Sequence, residues 1–141
     1  MRIKVFLKKS PVLPILFFGR DLERVLNDRL RPFEINWTGA SLLVAIFFEE
    51  RACGFTEVTK TFGIKRARMS QLVKQLETSG WVERRTELKN ARSKMLSLTP
   101  AGKKICSKIV GIFNNVTDQL EEDFGKEKAE EISFLLKKSK L

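Results

Sequence analysis

The segment from residue 56 to residue 99 constrains the fold of this chain more than any other. Near its centre, apolar residues recur at positions i, i+3, i+4 and i+7, namely Met69, Leu72, Val73 and Leu76. This spacing is typical of an α-helix with one buried side. The opposite side carries small, hydroxyl, amide and cationic residues and no carboxylate: Ala67, Gln71, Lys74 and Thr78, flanked by Arg68, Ser70 and Gln75. Such a surface suits a groove lined by phosphates.

A shorter helix and a glycine turn precede this amphipathic helix. Residues 56–62 predict a helix with Thr56 as its N-cap, and Gly63 supplies the left-handed residue that ends it. Two helices joined by a short turn that contains glycine form a helix-turn-helix. The second helix of that motif can lie in the major groove of DNA.

A β-hairpin is predicted after the second helix, which ends at Gly80. Residues 81–86 and 93–98 have the pattern of two short strands, and residues 87–92 form a polar loop between them. The hairpin is basic at its base and at its tip. The predicted fold class is therefore mainly α with a small β-hairpin wing (α+β), a winged helix-turn-helix.

Amphipathic helices are predicted on both sides of this lobe. Upstream, residues 11–33 keep an apolar helical stripe; downstream, Thr99 is the expected N-cap of a long helix, and residues 100–140 form two helices separated at Gly125. The opening residues 3–18 are more apolar than one short helix needs for its own core. We favour a contact with a second subunit, with packing inside the same chain as the alternative.

One more helix is predicted between the first stripe and the helix-turn-helix, with Thr38 as its N-cap. Its buried side consists of Leu42, Leu43, Ile46 and Phe47. Aromatic residues are dense around it, and a hydrophobic core explains them better than a cofactor site does.

The charge balance favours a polyanionic partner. Lys and Arg number 27 against 17 Asp and Glu, which gives a formal net charge of +10. The sequence has no His, and we find neither a Gly-rich phosphate loop nor a G-x-S-x-G motif, so we expect no enzyme, cofactor or metal site. Cys53 and Cys106 lack ligand spacing and are expected to be reduced thiols packed in helices. A redox switch is the alternative for them.

The first residues superficially resemble a signal peptide, because cations precede a short apolar run. No small-x-small cleavage site follows, and residues 20–24 continue the helical pattern, so we expect the chain to stay in the cytoplasm. No apolar run approaches the length of a membrane span.

Three runs of residues resemble the MarR family of bacterial winged-helix transcription regulators: Gly63-Ile64, Leu76 to Arg84, and Asn90 to Gly102. The likeness extends more loosely from about Leu13 onward. It implies a single MarR-like domain over residues 1–141, with a DNA-binding lobe at about 37–99 and dimerisation helices at about 11–33 and 100–140. It also implies a homodimer on double-stranded DNA with an inverted-repeat operator, and a repressor rather than an activator.

The candidate DNA contacts on the second helix and the wing are Arg66, Ala67, Arg68, Ser70, Gln71, Lys74, Asn90, Arg92 and Lys94. Gln71 is the expected base reader, because an amide pairs with adenine through two hydrogen bonds. The cations on the helix are expected to bind phosphates. In the family, the wing carries an Asp-x-Arg element whose Arg enters the minor groove. Asn90 and Arg92 stand at these positions here, so an amide replaces the bracing carboxylate.

The resemblance further implies a small aromatic or anionic effector between the two lobes, with Phe33 and Trp37 as candidate contacts. A rival interpretation of the whole chain is a winged-helix interaction module that binds an acidic protein or RNA. A DNA regulator prefers one duplex sequence, whereas the rival binds polyanions alike.

Overall fold

The computed structural model describes residues 2–87 and 89–140, apart from the side chains of residues 3, 87 and 90–93. Seven α-helices, one 3-10 turn and three strands lie in this part of the chain. In order they are α1 (Arg2–Lys9), α2 (Val12–Leu30), a 3-10 turn (Arg31–Phe33), α3 (Trp37–Glu49), β1 (Cys53–Gly54), α4 (Phe55–Phe62), α5 (Arg66–Thr78), β2 (Val82–Glu87), β3 (Asn90–Leu98), α6 (Pro100–Phe124) and α7 (Lys126–Lys138).

The predicted hairpin is part of a three-stranded antiparallel sheet with the strand order β1-β3-β2. The pairing of β2 with β3 runs from Val82 opposite Leu98 to Glu87 opposite Asn90, with an irregularity after Thr86. β3 thus begins three residues earlier than the sequence pattern indicated, whereas β2 keeps its predicted length and is displaced by one residue. β1 was not predicted, since two residues are too few to show a period.

Two predicted N-caps are wrong. The side chain of Asn36, not that of Thr38, caps α3, with Asn36 Oδ1 accepting the Gly39 N–H at 2.8 Å. Thr38 is the second residue of the helix and is itself buried. α4 already begins at Phe55 without a side-chain cap, so Thr56 lies inside it.

The predicted helix ends and the start of α6 are confirmed. Gly63 and Gly125 follow α4 and α6 with φ values of 60° and 83°, which favour glycine. At the start of α6, Thr99 Oγ1 accepts the N–H of Gly102 at 3.0 Å, and Pro100 is the first helical residue.

The hydrophobic core lies where α2, α3, α5 and α6 meet the sheet. Leu30, Leu43, Met69 and Ile109 are completely buried there. Toward the surface, the guanidinium of Arg29 donates to the side chains of Asn115 and Gln119 on α6, each at 2.6 Å. The core joins the outer helices to the helix-turn-helix, and the Arg29 contacts join α2 to α6.

We expect Gly102→Ala to destabilise the protein strongly. A Cβ at Gly102 would lie 2.0 Å from the backbone oxygen of Trp81, so α6 and the start of β2 would have to separate. Overpacking of this kind costs about 1–3 kcal/mol or more. Gly111→Ala in the same helix is the control, because nothing lies within 4 Å of its Cβ position and alanine favours helix. Urea unfolding of both variants measures the difference, and equal stabilities would contradict the packing.

The two cysteines should react slowly in the folded protein. Both are buried and free, although Cys53 lies in β1 rather than in a helix as predicted. Burial raises the pKa of Cys106 to about 11, and burial with the nearby Glu49 raises the pKa of Cys53. At pH 8 we expect a thiol-disulfide reagent to label the folded chain far more slowly than the urea-unfolded chain.

The raised thiol pKa values also determine whether alkaline pH stabilises or destabilises the fold. The thiols of the unfolded chain ionise near pH 9.0, whereas Cys106 in the folded chain ionises near pH 11. The free energy of unfolding should therefore fall as the pH rises from about 9 to about 11, because only the unfolded thiols gain a charge there. Labelling of folded protein at the rate of the unfolded chain would contradict the burial.

Candidate nucleic-acid interface

α5 separates its apolar and polar residues as predicted. Met69, Leu72, Val73 and Leu76 are all buried. Six of the predicted DNA contacts are exposed to solvent on this helix: Arg66, Ala67, Arg68, Ser70, Gln71 and Lys74. They therefore form a solvent-facing row on a helix whose other side is fixed in the core.

The start of α5 is open to an anion. Its N-cap is Lys65, which offers no side-chain acceptor, and the first turn contains no acidic residue. The first backbone amides of a helix have no intrahelical partner, and the helix dipole is positive at this end. With Arg66 and Arg68 also exposed there, the helix start can bind a phosphate through both backbone and side chains.

Arg66 is held near an aromatic ring. Its guanidinium carbon lies 5.6 Å from the centroid of Phe55, the first residue of α4. Phe55 is itself buried, so it is a fixed surface for the cation. The cation at the start of α5 is thus oriented by the preceding helix of the helix-turn-helix.

Of the three predicted DNA contacts on the wing, one has a described side chain. Lys94 is exposed on β3. Asn90 and Arg92 belong to the same strand, but their side chains lie outside the described residues. Their contacts with DNA stay predictions.

An ion pair between α5 and the wing was missed by sequence reasoning. The guanidinium of Arg84 on β2 lies 3.1 Å from a carboxylate oxygen of Glu77 on α5. Strand alternation could have indicated it, because Arg84 is on the same side of β2 as the buried Val82. Glu77 follows Val73 by one helical turn, which places it at the border of the buried side of α5.

A carboxylate beside the cationic row was also missed. Glu34, in the turn before α3, lines a cleft of about 480 Å³ together with Gln71, Lys74, Gln75, Thr78 and Ser79. The outward face of α5 itself holds no carboxylate, yet a distant segment brings one next to it. No local pattern in the sequence indicates this proximity.

The two candidate effector contacts are partly buried. Phe33 and Trp37 pack against the hydrophobic core, and the Trp37 backbone N–H donates to Asn27 Oδ1 at 2.8 Å. A cavity of about 530 Å³ lies elsewhere, between the end of α3, β3 and Lys103 of α6. An effector role for Phe33 and Trp37 stays a prediction.

Among residues 2–87 and 89–140, no helix combines the length and apolar character needed to cross a membrane. Within the same ranges, no three acidic or cysteine side chains are grouped so that they could hold a metal ion.

Two bacterial regulators are among the curated proteins similar to this chain, although no protein-family model matches the sequence. The HTH-type transcriptional regulator SarZ of Staphylococcus saprophyticus is 28% identical over 124 residues, which cover 86% of this chain and 82% of SarZ. The multiple antibiotic resistance protein MarR of Escherichia coli is 27% identical over 120 residues, which cover 82% of this chain and 81% of MarR.

The fold is also found among solved structures. The MepR chain from a MepR–DNA complex of Staphylococcus aureus superposes with a TM-score of 0.84 at 18% identity, and the match covers 92% of this chain and 94% of MepR. The relatives share sequence with both the helix-turn-helix and the outer helices, and the solved structure shares their arrangement. The chain is thus similar in sequence to the regulators SarZ and MarR, and it has the winged helix-turn-helix fold of MepR.

Proposed function

We propose that this protein is a transcription regulator that binds a specific sequence of double-stranded DNA as a homodimer and represses transcription. The observation that carries the proposal is α5, whose apolar side is fixed in the core while its carboxylate-free cationic side faces solvent. The relatives support it, since SarZ is a transcriptional regulator and MepR was solved in complex with DNA.

The recognition helix α5 has the dimensions that reading DNA requires. Its 13 residues span about 20 Å, and the major groove admits an α-helix. Gln71 lies in the middle of the exposed row, where its amide can pair with an adenine edge. Arg66, Arg68 and Lys74 bind the phosphates on either side. In this arrangement the phosphate contacts supply affinity and Gln71 supplies sequence preference.

A second copy of the chain would cover an apolar surface formed by the outer helices, which we call the outer patch. Phe18 of α2 and Phe124 of α6 are in contact there, with ring centroids 5.8 Å apart. The exposed members of the outer patch are Val5, Phe6, Val12, Ile15, Leu16, Phe17, Phe18, Phe124, Ile132, Phe134, Leu135 and Leu136. Monomeric soluble proteins rarely expose apolar surface on this scale.

Pairing through the outer patch determines the form of the operator. Two recognition helices related by a two-fold axis enter successive major grooves about 34–36 Å apart, so the operator is an inverted repeat. A dimer bound over two helical turns excludes other proteins from that stretch of DNA, which is the simplest route to repression. Its place of action is the cytoplasm, where the proposed target lies.

Gln71→Ala and Lys74→Ala separate base reading from phosphate binding. We expect Gln71→Ala to reduce the sequence preference at one base step. A bidentate contact discriminates against a wrong base by about 1–3 kcal/mol, and the variant loses that contact. Lys74→Ala should weaken binding to all duplexes and lower the slope of log K against log salt by about one. Selection of bound oligonucleotides and salt-titrated anisotropy measure these effects.

Lys128→Ala on α7 is the control for these variants, because it removes one exposed cation outside the helix-turn-helix. The opposite pattern would exchange the roles of Gln71 and Lys74. Equal binding of the unaltered protein to DNA, RNA and acidic proteins would contradict the proposed function and favour an interaction module.

Leu16→Glu should dissociate the homodimer. The substitution places a charge within the outer patch, and this charge would have to leave water when the two copies associate. Light scattering coupled to gel filtration gives the mass of each variant. Phe48→Glu is the matched control, because Phe48 is 66% exposed but lies on α3, outside the outer patch. Equal masses for Leu16→Glu and the unaltered protein would contradict this interface.

A further inference from the structure

Arg84 connects the wing to both helices of the helix-turn-helix. Its guanidinium lies 3.1 Å from the carboxylate of Glu77 on α5. The same guanidinium carbon is 5.9 Å from the centroid of Phe55, at the start of α4. Phe55 is also the ring that holds Arg66 at the DNA-facing end of α5. Arg84 of the wing therefore contacts α5 through Glu77 and α4 through Phe55.

The pair differs from the other ion pairs in its surroundings. The Arg84 and Glu77 side chains are 21% and 31% exposed, whereas both partners of every other ion pair between described residues are at least 41% exposed. Water and salt screen a partly buried pair less than a surface pair. The Arg84–Glu77 contact is therefore the strongest candidate for a link that persists in solution.

Stability alone does not account for this link. The Nε atom of Arg84 is buried and has no hydrogen-bond partner among the described residues. A buried donor without an acceptor costs about 1–3 kcal/mol, and apolar residues can often replace a buried ion pair without loss of stability. Directional contacts of this kind instead favour one arrangement of the elements that they join.

We propose that Arg84 and Glu77 are positioning residues that fix the wing relative to α5, so that both reach one duplex at the same time. The inference rests on the proposed function, in which α5 lies in the major groove and the wing reaches the backbone or the minor groove beside it. The pairing of β1 with β3 and the buried side chains of Val82 and Leu96 fix the base of the hairpin, and Arg84 adds a side-chain link from β2 to α5.

The test uses Glu77→Gln, Arg84→Gln and the double variant in the full-length chain. Affinity is measured for a duplex chosen by selection and for a random duplex, each over a range of salt. We expect each single variant to lower the ratio of the two affinities about tenfold, and the double variant to be no worse than either single one. The salt slope for the selected duplex should also fall by about one, because wing contacts are lost.

Arg85→Gln is the matched control. Arg85 is the next residue of β2 and pairs with Glu83 at 2.7 Å, but its side chain is 75% exposed on the other side of the strand. This variant should keep the affinity ratio of the unaltered protein. Thermal unfolding followed by circular dichroism defines a temperature at which all variants are folded. Arg84→Lys, which keeps the charge without the planar fork, replaces Arg84→Gln if that variant does not fold.

Each alternative gives a different result. If Arg84 binds a phosphate directly and Glu77 only competes for it, Glu77→Gln tightens binding to both duplexes and leaves their ratio unchanged. If the pair serves stability alone, the variants unfold at lower temperature but keep the ratio and the salt slope. Either result overturns the inference while the proposed function stands. Unaltered protein that prefers no duplex would overturn the proposed function, and the inference with it.

Discussion

Burial of the apolar side of α5 is the constraint on which the interface depends. Successive residues of a helix are rotated by about 100°, so burying Met69, Leu72, Val73 and Leu76 fixes the rotation of the whole helix about its axis. Each of these side chains contributes about 1.5–3 kcal/mol when it is removed from water. The exposed polar row of α5 therefore needs no contacts of its own to keep its orientation. Its direction is set by the core on the opposite side.

The base of the wing and the start of α6 depend on each other in a similar way. The Thr99 hydroxyl donates to the Gly80 backbone oxygen at 2.6 Å, and the Thr99 N–H donates to that of Trp81 at 3.1 Å. Gly102 packs so closely on Trp81 that no Cβ fits between them. A displacement of α6 must therefore move the residues from which β2 starts. The outer helices and the DNA-facing lobe are coupled at this point by backbone contacts as well as by the core.

Local patterns in the sequence predicted the elements whose causes are local. The stripe of α5, the glycine after α4 and the Thr99-Pro100 start of α6 each act within a few residues, and the structure has all three. The cap of α3 was misplaced because the choice between Asn36 and Thr38 depends on which side chain the core buries. The cleft position of Glu34 and the pairing of Arg84 with Glu77 depend on how separate elements pack. Periodicity indicates only that Arg84 and Glu77 lie on or beside the buried sides of their own elements.

Rigid attachment within the lobe restricts where regulation can act. α5 is fixed by its buried side, the wing is linked to α5 through Glu77, and both are tied to α6 through Thr99 and Gly102. If two copies pair through the outer patch, the distance between their recognition helices follows from the angle between the outer helices. A change of that angle would move each lobe as a body and shift α5 relative to a groove whose spacing is fixed. Under the proposed function, a signal would need to bias only the packing of the outer helices, without altering any of the residues proposed to contact DNA.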